Sequence, residues 1–298
     1  MAALKPIYYY RNKLAVDRLN TTNDTTASSG ALDKSLTYIV GDFPTLFNNP
    51  YGVAVDTNGN VFVADKENNR IRKVTPRGVV TTLAGSTNGF ADGAGALARF
   101  NWPLSVAVDS SGNVFVADYF NNRIRKVTED GVVTTLAGSG SPAFADGTGT
   151  TASFNKPSGV AVDSSGNLFV ADFINHCIRK IIISSGVVST LAGDGYDDGN
   201  GNGRLLDAPS GPATTASFFN PTGVAFDNNG NVFVADSDNH SIRKVTPGGA
   251  VTTLAGNGNM GAPFTYPSSV AVDTSGNVIV ADRDNELIRK VTQGGVVT

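Results

Sequence analysis

The chain is predicted to be all-β, a propeller of four-stranded antiparallel blades. Three observations carry this. One segment is written five times, in copies that begin at Val53, Val106, Val160, Val224 and Val270. Each copy holds four short runs rich in Val, Ile and Phe, separated by turn residues. No stretch of useful length shows a helical period.

Copy two shows each element in order. Val106-Ala-Val-Asp109 is the first strand and Val114-Phe-Val-Ala-Asp118 the second. Arg123-Ile-Arg-Lys-Val127 and Val132-Val-Thr-Thr-Leu136 follow as the third and fourth. The turns are Ser110–Asn113, where Gly112 supplies a backbone shape that other residues resist, then Tyr119–Asn122 and Thr128–Gly131. One such meander cannot bury both faces. Copies packed face to face around an axis can, and they leave only short, protected edges. A linear stack would expose its end faces, and no capping segment is evident.

Each copy carries one triplet at the start of its third strand: Asn69-Arg-Ile71, Asn122-Arg-Ile124, Asn175-His-Cys177, Asn239-His-Ser241 and Asn285-Glu-Leu287. From about residue 50 onward the segments resemble NHL repeats, named for an Asn-His-Leu signature. The resemblance implies a propeller, most often of six blades. It covers many functions, among them RNA binding, and related six-bladed propellers include lactonases and a peptide-amidating lyase. It therefore adds little about chemistry.

Residues 1–35 diverge from the repeat, and 36–298 form the propeller. Ile7–Arg11 and Lys13–Asp17 read as strands, and Thr21–Leu32 as a polar loop. Leu36-Thr-Tyr-Ile-Val-Gly41 resembles a fourth strand. Two closures follow. Residues 1–41 can form a degenerate sixth blade, or strand 36–41 can complete the fifth copy in a five-bladed ring. Six is preferred, because Val296–Thr298 already begins the fourth strand of the fifth copy.

The net charge of −3 gives no general attraction for nucleic acid, and no membrane insertion is expected. The single cysteine, Cys177, excludes an intrachain disulfide. No signal peptide pattern is seen at the N-terminus. A chain rich in Gly, Asn, Ser and Thr and poor in Lys leans toward an extracellular or cell-surface setting.

Alternating strands place the second-to-third turns and the long spacers on one end, and the other turns on the opposite end. The opposite end is monotonous, from Thr57-Asn-Gly-Asn60 to Thr274-Ser-Gly-Asn277. The first is diverse and collects Tyr51, Trp102, Leu104, Tyr119, Phe120, Phe173 and Ile174. Aromatic residues that break a repeat pattern on a surface are the usual anchors of recognition. These seven are the expected ligand contacts of a non-enzymatic propeller that binds a protein or glycan.

The recurring Asp65, Asp118, Asp172, Asp236 and Asp282, with Arg72, Arg125, Arg179, Arg243 and Arg289, are expected to be structural. Each Asp can accept backbone N–H groups in the turn, and each Arg can bridge adjacent blades. No catalytic residue and no cofactor are assigned. The alternative is a metal-dependent, lactonase-like hydrolase or lyase using the central channel. Its weak metal candidates are His176 and His240, on neighbouring copies, and Asp194, Asp197 and Asp198, whose oxygens would suit calcium. RNA binding needs a basic face. The spacer with Asp194, Asp197, Asp198 and Asp207 against Arg204 argues against it, so no nucleic-acid partner is expected.

Overall fold

The computed structural model describes residues 46–208, 212–260 and 263–298. These residues form a five-bladed propeller of antiparallel blades. Blade 1 comprises Pro50–Val55, Val61–Asp65, Arg70–Val74 and Val80–Ala84, in that order from the axis outward. Blades 2, 3 and 4 repeat it from Pro103, Pro157 and Pro221. Blade 5 holds Pro267–Val272, Val278–Asp282 and Leu287–Val291. Its outer edge is taken by the C-terminus, where Val297 bridges Val291 and Thr298 exchanges backbone hydrogen bonds of 2.9 Å with Lys290.

Among the described residues the blades number five, the alternative count, and not the preferred six. Each of the five repeat copies supplies its own strands, and residues 296–298 occupy the edge that strand 36–41 would have filled. Residues 1–41, assigned to a sixth blade, lie outside the described residues, as does the boundary proposed at residue 35.

Four apolar cores lie between consecutive blades. Phe62, Ala64 and Ile71 of blade 1 pack with Val106, Val114 and Val116 of blade 2, and Phe100 closes the layer. The same arrangement recurs between blades 2 and 3, 3 and 4, and 4 and 5. Val53 of blade 1 and Ile288 of blade 5 face the two ends of this series. They are 63% and 73% exposed, whereas their counterparts Val106 and Ile242 are 4% and 0% exposed. Burial depends on a neighbouring blade, not on the residue type.

The inner strands come so close that a side chain is excluded at one place. A Cβ on Gly159 would collide with the carbonyl of Thr222, and one on Gly223 would lie 2.8 Å from Ser269 Cα. The first turns explain the repeated Asp-x-x-Gly-Asn. Asp109 Oδ1 accepts the N–H groups of Ser111 and Asn113, its Oδ2 accepts from Asn113 Nδ2, and Gly112 sits at φ 79°.

The Asp–Arg pairs are buried struts. Asp118 and Arg125 are fully buried and 2.7 Å apart. Asp118 Oδ1 accepts the Asn101 N–H at 2.8 Å, so the backbone donor comes from the start of the blade rather than from the turn. Asn121 Nδ2 fills the remaining place at 2.9 Å. Arg125 reaches outward to Asp92 Oδ1 and to the carbonyls of Ala91 and Arg99, all in the spacer that leads into its own blade. Arg179 repeats this with Asp146, and Arg243 with Asp207. Arg125, Arg179 and Arg243 thus pin the spacers of blades 2, 3 and 4 to their own blades, rather than bridging adjacent blades as expected. Burial pushes the carboxyls of Asp118, Asp172 and Asp236 up to about 6, against the pull of the paired arginines.

Two outcomes test this framework. Gly159→Val should lower stability by about 2–3 kcal/mol in urea unfolding, as overpacking does. Arg125→Met, which strands a buried carboxylate, should cost about 3–5 kcal/mol.

Candidate functional site

Each blade begins with one corner. The residue before the first-strand proline is left-handed in all five: Asn49, Trp102, Lys156, Asn220 and Tyr266, with φ between 48° and 56°. Such a backbone costs non-glycine residues of order 1 kcal/mol or more and needs fixing from outside. Side chains of two blades supply the fixing. The N–H before the corner residue goes to the blade's own Asp, as Asn101 does to Asp118. In blades 2 to 5 the N–H of the corner residue itself goes back to the preceding blade. Trp102 donates to Asn69 Oδ1 at 3.0 Å and Lys156 to Asn122 Oδ1 at 2.9 Å. Asn220 donates to His176 Nδ1 at 3.1 Å and Tyr266 to His240 Nδ1 at 3.2 Å.

These bonds give His176 and His240 a structural part in the joint between blades. In each ring Nδ1 accepts an interblade N–H, so each histidine does the work that asparagine does in blades 1 and 2. The acidic spacer is likewise self-contained. Asp194 Oδ2 accepts from Arg204 at 2.9 Å and Ser217 at 2.7 Å. Asp197 Oδ1 accepts the N–H groups of Gly199 and Gly201, both at 2.8 Å. Asp198 accepts from Asn200 and Asn202, bonds that hold its carboxyl down at about 2. Among the described residues, no three His, Cys, Asp or Glu side chains gather in a metal-holding group.

The corner also positions the rim. The second residue of each second-to-third turn donates its N–H to the carbonyl just before the corner, as Phe120 does to Asn101 and Ile174 to Asn155, both at 3.1 Å. A corner side chain therefore lies between its own blade's turn and the preceding one. Trp102 stacks at 4.9 Å on Phe120 of its own blade, and Lys66 Nζ of blade 1 sits 4.0 Å from the Trp102 ring centre. Phe120 meets Tyr119 edge-on at 5.0 Å, and Tyr119 lies 6.2 Å from Phe173 of blade 3. Burial raises the Tyr119 phenol, and the neighbouring Tyr51 hydroxyl raises it further. Lys156 Nζ lies 6.0 Å and 5.8 Å from the Tyr119 and Phe120 ring centres.

The structure thus gathers Trp102, Tyr119, Phe120 and Phe173, with Tyr51 alongside, at one end of the propeller. Tyr51 and Phe120 are the exposed members. Leu104 does not belong there: it is 9% exposed, in an inner strand that packs against Gly52 of blade 1, so it is a core residue. Ile174 is half-buried, its backbone held by the bond to Asn155. Sequence reasoning missed Lys66 and Lys156 as neighbours of the rings, and Asn69 and Asn122 as interblade acceptors. The available signal was the proline that follows every corner residue.

His176 provides a pH test. It is buried, and burial lowers its pKa from 6.5, since charge is disfavoured there. Above that value the folded and unfolded states are both neutral at this site, and its contribution is complete. As pH falls, the unfolded chain binds the proton first, so stability drops until the lowered folded value is passed. Urea unfolding should show a loss as pH falls through about 6.5 that is reduced in His176→Asn, which keeps an acceptor and cannot titrate.

The family model described as NHL repeat matches residues 47–74, 100–127, 154–181, 218–245 and 264–291. NHL repeat-containing protein 2 of Bos taurus is 30% identical over 253 residues, covering 74% of this chain and 34% of the relative. The chain thus spans about a third of that relative's length. Among solved structures, a nidogen/laminin complex superposes with a TM-score of 0.61 at 18% identity, covering 84% of this chain and 78% of that chain. A gluconolactonase from Xanthomonas campestris gives 0.59 at 15% identity, covering 83% and 74%. At these identities the likeness concerns the fold. The five matched repeats coincide with the five blades, and the chain belongs to the NHL-repeat β-propeller family.

Proposed function

We propose that the chain is a non-enzymatic binding propeller that holds a protein partner on the aromatic rim of blades 1 to 3. The observation that carries this is the ring cluster itself. Four aromatic side chains from neighbouring blades meet on one end, on backbones fixed by the corners. Rigid, partly desolvated rings are the residues that dominate protein interfaces.

The mutual tilt of the rings favours a protein over a glycan. Trp102 and Phe120 are inclined by 49°, Tyr119 and Phe120 by 70°, and Tyr119 and Phe173 by 55°. A sugar chain stacks on rings that share a plane, whereas a bulky side chain fits among inclined ones. The enzymatic alternative shares its fold with a gluconolactonase, but its proposed ligands are engaged in interblade and spacer bonds.

A random peptide library displayed on phage and selected on the immobilised chain tests the proposal. Selected peptides should bind the Trp102→Ala/Tyr119→Ala variant about 30-fold or more weakly, the loss expected from removing interface anchors. The variant's thermal midpoint should fall by only a few degrees. A collapse in stability would instead assign these rings to the core.

A further inference from the structure

Resting on that reading, we infer that the rim selects an acidic segment: an apolar anchor seated among the rings, with a carboxylate beside it that pairs with Lys156. Three cations stand near these rings. Lys66, over Trp102, has Glu67 Oε1 at 3.8 Å. Arg283, whose charge acts on the Tyr51 hydroxyl, has Asp284 at 2.6 Å. Lys156 stands between the Tyr119 and Phe120 rings and has no carboxylate within 4.0 Å among the described residues. Among the described residues the ring cluster therefore contains one ammonium whose charge is not answered by a neighbouring acid.

Lys156 is also held in place. Its backbone is left-handed at φ 56°, its N–H is tied to Asn122, and Pro157 follows. Its side chain is half-buried against two rings, which exclude water from part of its surface. A carboxylate arriving there interacts through a medium less screening than water, and the pairing fixes its register relative to the anchor.

The rim of blades 4 and 5 is net negative: blade 4 presents Asp238 in its turn, and blade 5 presents Asp284 and Glu286 against Arg283. An acidic segment is repelled from blades 4 and 5 and drawn to blades 2 and 3. With the whole chain at −3, this preference is local to the rim.

The same phage-displayed library, selected on the full chain, tests the inference. Enriched peptides should place Asp or Glu within about two residues of an aromatic or Leu, and a synthetic representative should weaken as salt rises. Its affinity should fall about tenfold or more with Lys156→Met, and Lys156→Arg should restore most of it. Lys156→Asn puts at this corner the residue found in blades 1 and 4, and should give the same loss with the fold intact. Peptides without acidic enrichment, or affinity unchanged in Lys156→Met and Lys156→Asn, would overturn the inference. If those peptides still depended on Trp102 and Tyr119, the binding reading would stand without it. Peptides indifferent to Trp102 and Tyr119, or no selection at all, would overturn both.

Discussion

Everything at the rim depends on the left-handed corner that opens each blade. Two successive N–H groups leave the chain there in different directions. One is accepted by the buried aspartate of the same blade, the other by an asparagine or histidine of the blade before. Neither acceptor alone would hold a conformation that Trp, Lys and Tyr avoid. Together they make the joint between blades a matter of side-chain hydrogen bonds as well as apolar packing. They also decide that a corner side chain emerges between two turns, which is why Trp102 lies under Lys66 and against Phe120.

The aspartate in this joint has a second role. Its other oxygen holds the buried arginine, which extends to the spacer and closes the outer side of the blade. One carboxylate thus connects the inner corner, the turn asparagine and, through Arg125, the peripheral loop. A full set of partners is what makes a buried charge tolerable. Identical residues serve this connection in blades 2, 3 and 4, which leaves the corner and turn side chains free to differ. The aromatic half and the acidic half of the rim are two fillings of one repeated frame.

That frame also bears on what kind of ligand the rim suits. Strand ends and clamped corners set the backbones, so ring positions owe little to loop flexibility. Inclined rings around a cation resemble the centre of a protein interface more than a flat stacking platform. The fold itself is neutral on the matter, since the same blade architecture occurs in a nidogen/laminin complex and in a gluconolactonase.

The repeat spacing, the alternating apolar runs and the Gly-Asn turns made the all-β propeller and its strand order legible in the sequence, because short-range patterns govern short antiparallel pairing. The grouping of Trp102, Tyr119 and Phe173 on one end was also legible, since alternating strands determine which turns share a face. Leu104 was misassigned because position along a strand does not say which neighbour it packs against, and Gly52 of the adjacent blade decides that. The role of His176 and His240 was hidden for a related reason: their partners, Asn220 and Tyr266, stand 44 and 26 residues away on the next blade. Lys156 carries no signal in its own copy, and only the left-handed corner swings it against rings of the preceding blade. Local patterning specified the blades and the face; the contacts across blade boundaries arose from packing, because they join residues that no local pattern relates.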